Sequence, residues 1–202
     1  EVNMSYGVNV DYAVSKKLSI RSGINRVNYG YSTNNVEFTS SITAQSLPTI
    51  KYAPSARSIE VADNIASASA FQASETTLES TVFEGAMNQR FGYVEVPLEV
   101  KYRMLDKKLG VNLIGGVSSL LLTNNSITLE SSGLVTEMGE ANNLNSFNIS
   151  TNIGFGVDYQ MTDNLRLNVE PMFKYQLNTF SNDAGGFRPY SLGVYTGFSF
   201  RF

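Results

Sequence analysis

Apolar residues recur at every second position along most of this chain. In the last stretch Tyr190, Leu192, Val194, Phe198, Phe200 and Phe202 share one parity with Thr196, while Ser191, Gly193, Gly197, Ser199 and Arg201 share the other with Tyr195. A period of two sends alternate side chains to opposite faces of an extended backbone, which predicts a strand. Six other stretches show it: Val2 to Tyr12, Leu18 to about Tyr31, Phe91 to Tyr102, Leu109 to Leu121, Phe147 to Tyr159 and Leu165 to Leu177. The cleanest sets Phe147, Ile149, Thr151, Ile153, Phe155, Val157 and Tyr159 against Asn148, Ser150, Asn152, Gly154, Gly156 and Asp158.

The connections are of two kinds. Val14 to Lys17, Leu105 to Lys108 and Met161 to Asn164 are short polar turns, whereas Thr123 to Asn145 and Asn178 to Pro189 read as longer loops. Between residues 33 and 89 the pattern dissolves into Ser, Ala, Thr and Asn, which predicts one long loop. A loop of that size without structure is usually functional or disordered. Its Ile42, Leu47, Ile50, Tyr52, Ile59, Val61, Ile65 and Phe71 leave two readings open: a mobile loop, or a docking surface for a surface or outer-membrane protein partner.

The second parity carries many glycines, serines and asparagines. In water such a face would need few glycines, whereas small and polar residues suit a crowded barrel lumen. The sequence therefore predicts an all-β, antiparallel up-and-down transmembrane β-barrel, residues 1–202 forming one domain with a long extracellular loop at about 33–89. A slightly negative mean hydropathy does not oppose this, because a barrel strand spends only alternate residues on lipid. Tyr12, Tyr102 and Tyr159 each stand just before a short turn and, with Phe202, are expected to form a periplasmic aromatic girdle. Short turns and the C-terminus are then periplasmic and long loops extracellular.

Seven strands make an odd number, and bacterial single-chain barrels are normally even, with eight a common minimum. The expectation is an eighth strand upstream of Glu1. The competing place for it is near Ser58 to Ile65, which would leave an open seam. No signal peptide is visible at Glu1, so the sequence is expected to be a mature form or a fragment.

Chemistry is bounded by what is missing. There is no Cys and no His, which removes thiol nucleophiles, Ser-His and Cys-His triads and imidazole metal sites. A formal net charge of -3 offers no basic surface for nucleic acid. No phosphate cradle, EF-hand or Walker motif is present, and no cofactor or metal is expected. Charged residues on the inward parity are Asp11, Arg21, Glu95, Glu99, Lys101, Arg103, Asp158, Arg166, Glu170, Lys174 and Arg201. Buried charges persist when they pair and hydrogen-bond, so these predict a salt-bridged plug. Counted from the turns, Glu95, Glu99, Glu170 and Lys174 lie higher than the other seven. Glu99 and Glu170 as paired catalytic carboxylates would need a substrate cleft, which nothing marks, and an eight-stranded lumen is filled by its own side chains. Pro97 and Pro171 lack ladder donors and predict bulges.

Phe198, Phe200 and Phe202 resemble the C-terminal assembly signal of bacterial outer-membrane barrels, which implies the barrel-insertion machinery and outer-membrane lipid as partners. Gly7-Val-Asn-Val-Asp-Tyr12, Leu18-Ser-Ile-Arg-Ser-Gly-Ile-Asn-Arg-Val27 and Tyr93-Val-Glu-Val-Pro-Leu-Glu-Val-Lys-Tyr102 resemble Bacteroidota outer-membrane barrels of the OmpA/PorT-like class. The region from Glu1 to Asn35 is similar to the C-terminal barrel of dual membrane-spanning anti-sigma factors. That resemblance implies a non-enzymatic membrane anchor and surface sensor in envelope signal transduction. The other reading is a stand-alone structural barrel, or a subunit of a secretion or insertion complex.

Overall fold

The computed structural model describes residues 4–40, 50–56, 59–61, 83–181 and 188–200. These hold ten strands: β1 (Ser5–Ala13), β2 (Leu18–Ser40), β3 (Ile50–Tyr52), β4 (Ile59–Val61), β5 (Phe83–Asp106), β6 (Leu109–Ser131), β7 (Leu134–Ala141), β8 (Phe147–Gln160), β9 (Leu165–Gln176) and β10 (Tyr190–Phe200). One antiparallel path runs β1-β2-β5-β6-β8-β9-β10, the seven strands expected from the alternation. β1 and β10 stand at its two ends. The short strands β3, β4 and β7 lie off the path.

The contacts divide the chain into two compact units. The first to consider comprises residues 4–27, 93–122 and 145–202. Here the apolar residues are outside. Along β8 exposure alternates without a break from Phe147 to Tyr159, with Asn148, Ser150, Asn152, Gly154, Gly156 and Asp158 buried and the apolar set exposed. β5 repeats this, with Glu95, Pro97, Glu99 and Lys101 buried and Val96, Leu98, Val100 and Tyr102 exposed. A soluble sheet has the opposite sense. Only a solvent that prefers hydrocarbon makes this arrangement favourable, and that solvent is a bilayer.

Small inward residues let the larger ones cross the lumen. A Cβ at Gly116 would lie 2.6 Å from the Glu99 Cα, so any larger residue there displaces that strand. Pro171 does not make the expected bulge. Gly154 pairs with Met172 and Val157 with Val169 in one unchanged register, and Val194 pairs with Pro171 on the other side. The missing donor leaves a gap in the ladder without inserting a residue.

The second unit comprises residues 1–3, 28–92 and 123–144, and its pattern has the ordinary sense of a soluble fold. Val36, Ile50, Ala56, Val61, Met87, Phe91, Ile127, Leu129, Met138 and Ala141 are buried, while Glu37, Glu84, Glu130, Glu137 and Glu140 are exposed. Tyr31 and Phe91 pack with ring centroids 5.9 Å apart. β6 turns into β7 through Ser132 and Gly133, both at positive φ (52° and 80°), the conformation of a two-residue hairpin. Next comes a bulge: Ile127 pairs with Gly139 but Thr128 with Glu137, so Met138 is the extra residue and is fully buried. Gly139, at φ 135°, also pairs with Tyr52 of β3, where a Cβ would lie 2.8 Å from the Ala53 amide nitrogen.

This unit corrects the expected loops. β2 continues to Ser40, β5 begins at Phe83, and β3 and β4 lie between them, so residues 33–89 are not one pattern-free loop. The stretch from Thr123 to Asn145 is largely the β6–β7 hairpin. β4 is only three residues and pairs with Phe38 to Ser40 of β2, so it is not an eighth strand of the path. Ile50 and Val61 are buried in this unit's own core, and Tyr52 and Ile59 are half-buried. Ile42, Leu47, Ile65 and Phe71 lie outside the described residues.

Ile153 sits at the middle of β8 and is 56% exposed. Replacing it with Arg is expected to cost the folded state about 2 to 4 kcal/mol in a bilayer. Denaturant unfolding from lipid vesicles measures this, and an unchanged midpoint would contradict the lipid-facing assignment.

Candidate functional site

The candidate site is the lumen of the membrane unit. Strand alternation delivers Asp11 from β1, Arg21 from β2, Glu95, Glu99 and Lys101 from β5, Asp158 from β8, and Glu170 and Lys174 from β9 to the inward face. The Arg21 guanidinium donates to both oxygens of Glu170, Nη1 to Oε2 at 2.6 Å and Nη2 to Oε1 at 2.7 Å. Its Nε donates to Asp11 Oδ1 at 3.0 Å, and Nη1 lies 3.6 Å from Glu99. Lys101 Nζ reaches Glu170 at 3.2 Å and Asp158 at 3.4 Å. Lys174 Nζ donates to both oxygens of Glu95, at 2.6 and 2.8 Å, and lies 4.8 Å from the centre of the Tyr195 ring.

These contacts measure the curvature of the sheet. Neighbouring strands are about 4.8 Å apart, so β2 and β9, four steps apart on the path, would be about 19 Å apart in a flat sheet. Arg21 and Glu170 instead form a bidentate pair. Glu95 and Lys174 likewise join strands three steps apart. The sheet is rolled until opposite walls touch through their side chains.

Neutral groups complete the charges. Asn112 donates to Asp158 at 2.7 Å, and Asn152 donates to Glu99 at 3.0 Å and to Ser118 at 2.6 Å. Asn148 donates to Gln176 and Thr179, each at 2.9 Å. Glu95, Asn112 and Asn148 are fully buried. A connected set of buried, charge-assisted hydrogen bonds holds its members rigidly. Chemically, the site can brace opposite walls. Among the described residues no group of three or more acidic side chains is arranged to hold a metal ion.

Most of the residues expected from sequence meet here, with three differences. Glu170 does not stand on a higher tier than Arg21 and Lys101, because both bind it; strand stagger places them level. Arg103 and Arg166 form a separate, more exposed cluster with Asp106, at 3.1 and 3.4 Å. Asp106, assigned by its sequence position to a turn, bridges the two arginines. Arg201 and Phe202 lie outside the described residues. Of the aromatic sets, Tyr12, Tyr102, Tyr159, Phe198 and Phe200 are all exposed on the outward face.

Removing one partner of a buried pair leaves an uncompensated charge, whereas removing both costs much less. Arg21→Met is therefore expected to destabilise the barrel by about 3 to 5 kcal/mol. Arg21→Met with Glu170→Leu should cost clearly less than the sum of the two single changes. A double-mutant cycle by denaturant unfolding measures the coupling, and strict additivity would remove Arg21–Glu170 as the central brace.

Comparison with curated proteins and with solved structures gives no match. A family model described as "Outer membrane protein beta-barrel domain" matches residues 1–182, nearly the whole chain. It agrees with the apolar-out strands and the polar lumen, and places the protein in the outer membrane. The chain belongs to the family of outer-membrane protein β-barrel domains.

Proposed function

We propose that this barrel is a channel-less, non-enzymatic anchor in the outer membrane, serving as the surface-sensing end of an envelope signalling protein of the anti-sigma type. The observation that carries the anchor reading is the lumen, where Arg21, Lys101 and Lys174 with their carboxylates fill the space a pore would use. Strand length supports the sensor reading. β2, β5 and β6 have 23, 24 and 23 residues, whereas about ten residues cross a bilayer, so each is longer than a crossing requires. The unit formed by residues 28–92 and 123–144 has its own apolar core, more than an idle connection requires. The signalling assignment rests on the resemblance of the first 35 residues to barrels of that class.

On this reading the short turns are periplasmic and the β6–β7 hairpin is extracellular. That hairpin exposes Leu134 and Val135 beside its turn, with Glu130 and Glu137 on its strands. Residues 28–92 and 123–144 contain nine acidic and three basic residues, so a surface partner would be recognised through basic groups around an apolar contact.

An epitope inserted after Gly133 of the full-length protein tests both parts of the proposal. It is expected to be labelled on intact cells, whereas one inserted at Asp163 is labelled only after permeabilisation. Antibody bound at Gly133 should change transcription of a defined gene set without changing barrel abundance. Labelling in the opposite sense would overturn the orientation, and an unchanged transcript profile would favour a structural barrel.

A further inference from the structure

The end of the membrane unit where the short turns lie carries charge of one sign. Residues 14–17, 103–108 and 161–166 hold six basic residues, Lys16, Lys17, Arg103, Lys107, Lys108 and Arg166, against two acidic ones, Asp106 and Asp163. A chain with a formal net charge of -3 therefore gathers a clear positive excess at one rim. The backbone holds these turns side by side. The Arg103 amide donates to the Lys17 carbonyl at 2.7 Å, and the Gln160 amide donates to the Lys108 carbonyl at 2.9 Å. The first turn is itself fixed, because the Val14 and Ser15 amides donate to the Leu18 carbonyl and the Leu18 amide donates to the Ser15 hydroxyl oxygen.

The positive charge divides into two parts. Arg103 and Arg166, on the inward parity, share the Asp106 carboxylate, so their charge is partly met within the protein. The lysines are different. Lys16, Lys17, Lys107 and Lys108 are all exposed, and among the described residues none of the four forms an ion pair with a carboxylate. Four like charges in adjacent turns repel one another unless an anion lies between them.

Apolar side chains interleave with these charges. Val14 precedes Ser15-Lys16-Lys17 and Leu105 precedes Asp106-Lys107-Lys108, and both are exposed, at 52% and 40%. Tyr102 and Tyr159 stand on the outward face just before the turns. Lys108 Nζ lies 5.8 Å from the centre of the Tyr159 ring, so this ammonium stays against the outer wall instead of reaching away from it. A rim of this kind suits the boundary where phosphates sit above acyl chains: the lysine heads meet the phosphates while their stems and the apolar neighbours meet hydrocarbon.

We propose that this rim is a binding surface for anionic glycerophospholipids, whose headgroup phosphates sit among the Lys16–Lys17 and Lys107–Lys108 pairs while their acyl chains run beside Tyr159. Lysine is the suitable cation for such a surface. It is a compact charge on a flexible stem, able to follow a fluid headgroup, whereas the two arginines of the same rim are engaged with Asp106. Each lysine held near an anionic surface favours the charged lipid about fivefold in local association. The consequence is selection of lipid at one end of the barrel, which fixes the depth of the short turns in their leaflet. The inference concerns the membrane unit alone and requires neither a signalling role nor a particular leaflet.

The sequence contains no tryptophan, so Tyr159→Trp places a reporter beside Lys108, and Phe147→Trp places one at the other end of the same strand. The full-length protein carrying either change is reconstituted in vesicles of phosphatidylcholine and phosphatidylglycerol in equal parts, with bromine on the acyl chains of one lipid or the other. Quenching of the emission gained over the unsubstituted protein gives the relative association of the two lipids at each position. Phosphatidylglycerol is expected to be favoured about fivefold or more at position 159 in low salt, and to show no preference at position 147. High salt, or Lys107→Gln with Lys108→Gln, should bring the ratio at position 159 toward unity, while Lys107→Arg with Lys108→Arg keeps it. Inorganic phosphate should displace the lipid no better than chloride of equal ionic strength, which separates a lipid surface from a site for free phosphate. Heat-modifiable mobility on gels identifies the variants that fold, and only those are scored. Equal quenching by the two lipids at position 159, the same preference at position 147, or a preference untouched by the glutamine changes would overturn the proposal. So would displacement by phosphate beyond that by chloride.

Discussion

A guanidinium on β2 and a carboxylate on β9, four strands apart along the sheet, are bonded through two hydrogen bonds of 2.6 and 2.7 Å. The rest of the membrane unit depends on this contact. It can form only if the sheet is rolled, and once formed it places the walls at a separation that only side chains can fill. Glu95–Lys174 and Lys101–Asp158 add braces between other walls. Each charge would be costly alone in this lumen; together they satisfy one another, with asparagine and serine side chains meeting the remaining lone pairs and protons. A sheet whose outer face is greasy must put its polarity inside, and polarity inside is stable only as a connected network.

Structure and function meet at the same network. A lumen crossed by ion pairs joining opposite walls holds the rolled sheet together from inside, which is the observation that the proposed anchor role draws on. The chain spends nearly half its length on strands and connections beyond the roughly ten residues per strand that a bilayer requires. That excess folds around Ile127, Leu129, Met138 and their neighbours as a separate apolar core. Two units in one chain thus solve opposite solvation problems, one facing hydrocarbon and one facing water.

How much of this was legible in the sequence follows from that opposition. β8 reads directly, because its apolar and small residues alternate without interruption, and the inward charges on β5 and β9 follow from the same parity. Residues 33–40 and 83–89 do not read as strands because their apolar positions are sparse, and the buried ones, Val36 and Met87, face a core of the ordinary sense instead of lipid. β3 and β4 are three residues each, too short for any periodicity. The level of Glu170 could not be counted from its turn, since heights on different strands depend on stagger, which a single sequence does not encode. Asp106 lay hidden in an apparent turn whose partners, Arg103 and Arg166, come from two strands. Pro171 signalled a missing donor correctly, but not that the ladder could absorb it in register.

The central claim is that the membrane unit is a rolled sheet with lipid on its apolar face and a packed polar lumen on the other. Single cysteines introduced one at a time from Phe147 to Gln160, in a chain without native cysteine, can each carry a spin label whose collisions with oxygen and with an aqueous nickel chelate are compared in membranes. The account predicts strict alternation, with labels at Ile149, Ile153, Phe155 and Val157 in lipid and labels at Ser150, Asn152, Gly154 and Gly156 shielded from both reagents. Uniform access to the aqueous chelate, or alternation of the opposite parity, would contradict it.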